Sequence, residues 1–218
     1  MPLIIFDCDG VLVDSETLEN EIAAQCLTDV GLPMTGAQAR DRYIGLSSAA
    51  VIALVEGELG RKLPHDWLSN YHAISHRRLA DEVEAVAGVA LAIDAIEAMG
   101  FTTAVASSGE HAKMKITLGR TGLYGRFEGR IFSAQDVAHG KPAPDVYLLA
   151  ATTMGYAPET CFAVEDSPNG VRAAVAAGMV CFGYAAQIDP ARLTQAGARA
   201  VFDDMAGLPE LVAAGARK

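Results

Sequence analysis

Basic residues are scarce in this chain: 17 Lys and Arg stand against 27 Asp and Glu, for a net charge of −10. Nucleic-acid backbones and anionic membranes require clustered positive charge, so a general binder of either is excluded. A small anion held by one local cation and a metal fits the balance. Cysteine is sparse as well, and Cys8, Cys26, Cys161 and Cys181 show no CxxC spacing. That argues against a zinc ribbon or a disulfide framework and for reduced, buried thiols in a cytoplasmic protein. With an acidic residue as early as Asp7, no secretory leader is expected. The longest apolar run, Ala173 to Ala186, is too short to span a bilayer and is broken by glycines. His72 and His76 have helical i, i+4 spacing but no third ligand nearby, so a zinc site is not expected. What remains is 51% hydrophobic and 20% charged residues, enough for one sizeable core or a core with a smaller appended unit.

Leu3 to Phe6 are four apolar residues in a row, the pattern of a strand buried on both faces in a parallel sheet. From about residue 88 onward helix and strand alternate. Helical patterns over 85–100, 111–123, 143–155 and 167–179 are separated by strand patterns over 101–108, 129–136, 161–166 and 180–185. A last strand, AVFDD, and a last helix, LPELVAAG, follow. Such alternation predicts βαβ units and an α/β doubly wound, Rossmann-like parallel sheet. Residues 15–85 break the rhythm, with four helical patterns and no convincing strand. An all-helical insert of that length exceeds any crossover loop and predicts a separate cap domain, with the core formed by 1–14 and 86–218.

Ligands of such sheets bind beyond the carboxyl ends of the strands, so strand-terminal polar residues are the candidates. They are Asp7 and Asp9 after the first strand, Ser107 and Ser108 after the second, and Glu165 and Asp166 after VED; Lys141 precedes a helix in GKPAPD. If the backbone stays extended, Asp7 and Asp9 stand about 6.6 Å apart on one face, where two like charges raise at least one pKa unless a cation intervenes. Four carboxylates against one lysine leave a formal −3. A divalent ion brings that to −1, and Mg²⁺ suits an oxygen-only donor set.

The segments DCDGVLVDSE, ASSG, GKPAPD and VEDSPNG resemble, in order, the four motifs of the haloacid dehalogenase-like hydrolases, in the branch with a helical cap after strand one. The resemblance implies that Asp7 is the nucleophile that forms an aspartyl-phosphate and Asp9 the general acid and base. It implies that Ser107 and Lys141, with Ser108 beside them, hold the phosphoryl group, and that Asp7, Asp9, Glu165 and Asp166 form the Mg²⁺ site. The implied activity is hydrolysis of a small phosphorylated sugar, sugar acid or polyol by a cytoplasmic enzyme, expected as a monomer. Specificity would lie in cap loops such as YIGLSS, residues 43–48, which carry no legible code.

Three other readings compete. A phospho-acceptor receiver module lacks the helical insert and the DxD spacing. A haloacid dehalogenase needs neither a metal nor the second aspartate. A β-phosphoglucomutase-like enzyme, which returns the phosphoryl group to a sugar, carries a histidine where this chain has Glu19 and an arginine where it has Ser48. An arginine grips a distal phosphate bidentately, and neither Glu19 nor Ser48 can replace that cation, although Arg42, Arg77 or Arg78 could supply one from elsewhere in the cap. Water is therefore the expected acceptor. Incubation with β-glucose 1-phosphate and a trace of the 1,6-bisphosphate should release inorganic phosphate with little glucose 6-phosphate; efficient isomerisation would identify a mutase.

Overall fold

The computed structural model describes residues 2–43, 46 and 48–216, so Ile44, Gly45 and Ser47 of the YIGLSS loop lie outside the described residues. The chain divides into two compact units, Met1–Asp14 with Glu84–Lys218, and Ser15–Val83.

The larger unit is built on a six-stranded, all-parallel sheet. Its strands are β1 (Leu3–Phe6), β4 (Thr102–Ser107), β5 (Ile131–Ser133), β6 (Phe162–Glu165), β7 (Val180–Tyr184) and β8 (Ala200–Phe202), in the spatial order β5-β4-β1-β6-β7-β8. The order runs outward from β1 in both directions, so the crevice of a doubly wound sheet falls at the carboxyl ends of β4, β1 and β6. Side chains alternate across the sheet. Leu3, Ile5, Ala163 and Cys181 pack on one face with Val146, Tyr147 and Ala150 of α8 (Asp145–Met154) and Val171 and Ala174 of α9 (Pro168–Ala176). Ile4, Phe6, Phe162 and Phe182 point the other way, where the rings of Phe162 and Phe182 stack at 5.8 Å and Phe6 meets Phe127 at 6.4 Å. Besides α8 and α9, the crossovers include α5 (Val89–Ala98) and α6 (His111–Arg120), with a short α7 (Tyr124–Phe127) after α6.

Two features escape the periodicity. Val13–Asp14 (β2) and Glu84–Ala85 (β3) pair antiparallel as a two-residue ribbon where the chain leaves and re-enters the larger unit. Strands that short carry no alternation to read, so Glu84 and Ala85 merge in sequence with the helical patterns on either side. A further helix, α10 (Pro190–Ala196), stands in the alanine-rich tail, capped by Asp189, whose side chain accepts from the Ala191 amide at 2.9 Å.

The smaller unit contains α1 (Glu16–Asp29), α2 (Gly36–Tyr43), α3 (Ser48–Leu59) and α4 (Trp67–Glu82). Ala24, Leu27, Ala39, Tyr43 and Val55 make its core, with Trp67 packed against them. Among the described residues no helix is long and apolar enough to cross a membrane.

Candidate active site

Asp7 continues β1 by one bond, its amide donating to the Val164 carbonyl at 2.9 Å, and the chain then turns. The Leu12 and Val13 amides return to the Cys8 carbonyl at 2.9 and 3.1 Å, and the Gly10 amide donates to Val13 O at 2.8 Å. Asp9 therefore stands in a turn, not one strand repeat beyond Asp7.

Lys141 ties three strand ends together. Its Nζ donates to Asp7 Oδ1 at 2.8 Å, to the Ala106 carbonyl of β4 at 2.9 Å and to Glu165 Oε1 of β6 at 2.6 Å. Those three bonds account for every proton of the ammonium group, and the side chain is only 4% exposed. Glu165 is equally engaged. Oε1 also accepts from the Tyr147 hydroxyl at 2.8 Å, and Oε2 accepts from the Ser167 amide and hydroxyl at 3.3 and 3.1 Å. Ser167 in turn caps α9, its Oγ accepting from the Gly170 amide at 3.0 Å.

Burial dominates the electrostatics. With the nearby charges of Glu165 and Asp9, it pushes the Asp7 carboxyl up to about 7 against the pull of Lys141. Burial opposes the Lys141 charge as well, but the carboxylates of Asp7 and Glu165 outweigh it and hold the lysine above its ordinary value. Burial and the Glu165 charge keep the Tyr147 phenol well above its usual range, so it remains a donor.

Among the described residues one group of acids could hold a metal ion: Asp7, Glu165 and Asp166, whose ligand oxygens lie within 4.8 Å of one another. Two glycines permit that convergence. A Cβ on Gly10, whose φ is +77°, would stand 1.9 Å from Asp166 Oδ2, and one on Gly170 would stand 1.8 Å from the Glu165 carboxyl. The donors are hard carboxylate oxygens, the set that suits Mg²⁺.

The Asp9 carboxylate, which the sequence reading put in the metal set, lies outside this group and pairs with Lys113 at 3.0 Å. Lys113 is the functional candidate that sequence reasoning missed. The available signal was a lysine in the first turn of the helix that follows ASSG. Ser107 ends β4 fully buried, its Oγ accepting from the Gly109 amide at 2.9 Å, whereas Ser108 is exposed.

In the helical unit, Glu19 and Ser48 line one cleft of about 280 Å³ together with Glu16, Arg40, Trp67 and Tyr71. Arg40 is paired with Asp41 at 3.1 Å, Arg42 with Glu58, and Arg78 with Glu82 at 2.7 Å. Two of the three arginines that could have supplied a distal-phosphate site are thus committed to acids.

A parallel α/β sheet with a helical insert after its first strand, and with acids and a buried lysine at its switch point, defines a hydrolase that works on an anionic group. The haloacid dehalogenase-like hydrolase model matches residues 4–184, and the chain belongs to that family. It is 30% identical to the 6-phosphogluconate phosphatase of Escherichia coli, over 84% of this chain and 82% of that one. It is 31% identical to a phosphorylated carbohydrates phosphatase of Thermotoga maritima, over 82% of each. The crystal structure of a haloacid dehalogenase family hydrolase from Deinococcus radiodurans, with bound phosphate and sodium, superposes with a TM-score of 0.83 at 29% identity, covering 99% of this chain and 96% of that one. These relatives put the enzyme on the phosphatase branch of the family.

Replacing Tyr147 by Phe removes one charged hydrogen bond to Glu165 from a fully buried position without opening a cavity. The expected cost is about 1.5–3 kcal/mol, read from urea denaturation of the parent and variant proteins. An unchanged midpoint would show that the phenol does not help hold Glu165.

Proposed function

We propose that this chain is a Mg²⁺-dependent phosphatase that hydrolyses a small phosphorylated sugar, sugar acid or polyol through an aspartyl-phosphate on Asp7, as a cytoplasmic monomer. The observation that carries the reading is the convergence of Asp7, Glu165 and Asp166 within 4.8 Å beside a lysine that holds Asp7. Relatives named for phosphorylated carbohydrates support the substrate class.

In the first half of the reaction an Asp7 carboxylate oxygen attacks phosphorus, the ester P–O bond breaks, and Asp9 gives a proton to the departing oxygen. In the second half water attacks the phosphoryl group, Asp9 takes its proton, and inorganic phosphate leaves with Asp7 restored. Ser107, buried at the mouth of β4, and the backbone amides beside Gly10 and Ser108 suit the phosphoryl oxygens. Lys141 fits a different part from the phosphate grip expected from the sequence. With its three protons committed, it orients Asp7 and supplies local positive charge.

Asp7, Glu165 and Asp166 would hold Mg²⁺. When bound, the ion supplies positive charge that lets a phosphate dianion enter a site otherwise rich in carboxylates. Substrates without a second phosphate are the expected preference, because Glu19 and Ser48 stand at the sequence positions where a phosphosugar mutase carries its histidine and arginine.

Asp7→Asn should abolish phosphate release with the fold intact, because an amide is a poor nucleophile; a few per cent of residual activity would rule out the covalent route. Asp9→Asn should lose about 10²–10⁴-fold. A panel of phosphorylated metabolites with and without Mg²⁺, scored by phosphate release, tests both variants and the substrate class, and full activity in excess chelator would remove the metal from the reaction.

The raised Asp7 carboxyl gives a pH test. Asp7 must be deprotonated to bind a cation, so Mg²⁺ affinity should rise as pH rises through about 7. Calorimetric titration should find affinity roughly tenfold higher at about pH 8 than at about pH 6, with proton release on binding. Affinity that is flat over that interval would show that Asp7 is not a ligand.

A further inference from the structure

Lys113 is the second cation of the crevice, and nothing in the four motifs assigns it a role. It stands in the first turn of α6, where a positive charge opposes the helix dipole, so local helix stability does not explain it. Its side chain is 16% exposed, so a charged lysine there is favourable only with a partner close by. That partner is Asp9, at 3.0 Å from Nζ to Oδ1. The other Asp9 oxygen, Oδ2, lies on the side of Gly109 and Ser107. A Cβ built on Gly109 would lie 3.3 Å from Asp9 Oδ2 and 3.2 Å from Ser107 Oγ, so Asp9, Ser107 and the Gly109 backbone form one wall. Asp9 stands in a turn, outside the sheet, and needs a tether that the strand does not provide.

We propose that Lys113 is a positioning residue for Asp9: its ion pair to Oδ1 fixes the carboxyl so that Oδ2 meets the leaving oxygen of the substrate. The inference rests on the reading of Asp9 as the general acid.

Because kcat/KM includes steps only up to departure of the leaving group, its dependence on leaving-group basicity isolates the acid's contribution. A nitrophenolate departs unaided, whereas an alkoxide needs the proton. Lys113→Met and the equally long Lys113→Gln should therefore be assayed with p-nitrophenyl phosphate, phenyl phosphate and glycerol 1-phosphate, beside Lys113→Arg and Asp9→Asn. The expected result for the Met and Gln variants is a change within about threefold on p-nitrophenyl phosphate and a loss of roughly 10–100-fold on glycerol 1-phosphate, with phenyl phosphate between, as partial loss of acid catalysis requires. Lys113→Arg should restore most of the loss, and Asp9→Asn should show the same pattern at larger size.

An equal fall on all three esters in both Lys113 variants would mean a phosphate-binding or packing role and would overturn the inference. So would a leaving-group dependence in Asp9→Asn that is absent from the Lys113 variants, and in that case the reading of Asp9 stands. No such dependence in Asp9→Asn would overturn both.

Discussion

A buried lysine with three carboxylate and carbonyl acceptors, each from a different strand end, sets the terms for the rest of the catalytic unit. Removing an ammonium from water is costly unless every proton is bonded and an opposite charge is close. Lys141 meets both conditions through Asp7 after β1, Ala106 on β4 and Glu165 on β6. These strands are neighbours because the sheet order reverses at β1, so the topology itself brings the acceptors within reach of one side chain. The same bonds also keep Asp7 and Glu165 together, which two buried carboxylates would otherwise resist. Tyr147 and Ser167 complete the coordination of Glu165, and Ser167 passes the constraint on to the start of α9.

The convergence is bought with two positions where no side chain fits. Gly10 adopts a left-handed backbone and leaves room for the Asp166 carboxyl, while Gly170 leaves room for Glu165 under the first turn of α9. Either glycine read alone looks like a turn residue or a helix filler. Together with the strand-end acids they outline a pocket of oxygen donors whose charge calls for a cation, and Lys113 lowers the formal excess that the sequence suggests from −3 to −2.

Much of the architecture was legible in the sequence because it rests on periodicity. The change from alternating strands and helices to helices alone marks residues 15–85, and each chemically active strand end is announced by a polar residue after an apolar run. The remainder depends on contacts distant in sequence or on elements too short to have a period. Asp9 looked like a same-face partner of Asp7, but the turn closed by Gly10 and Val13 carries it toward Lys113 instead. Lys141 was recognisable as a site residue, yet its three acceptors lie on three strands and fix Asp7 in a way that spacing cannot express. Tyr147 reads as a core position of α8, and only the fold brings its hydroxyl to Glu165. The ribbon of β2 and β3 pairs residues about seventy positions apart with two residues on each side, too little for any pattern to register.

The central claim is that Asp7, held by Lys141, becomes covalently phosphorylated. It is tested most directly by trapping the intermediate. Mixing the Asp9→Asn enzyme with ³²P-labelled p-nitrophenyl phosphate, whose leaving group departs without an acid, in Mg²⁺ and quenching in acid should leave label on the protein, because the base proposed to activate water is missing. The expected result is label confined to the peptide that contains Asp7, released by hydroxylamine as an acyl phosphate is, and absent from the Asp7→Asn/Asp9→Asn double variant. Label on any other residue, or label that persists in the double variant, would contradict the account.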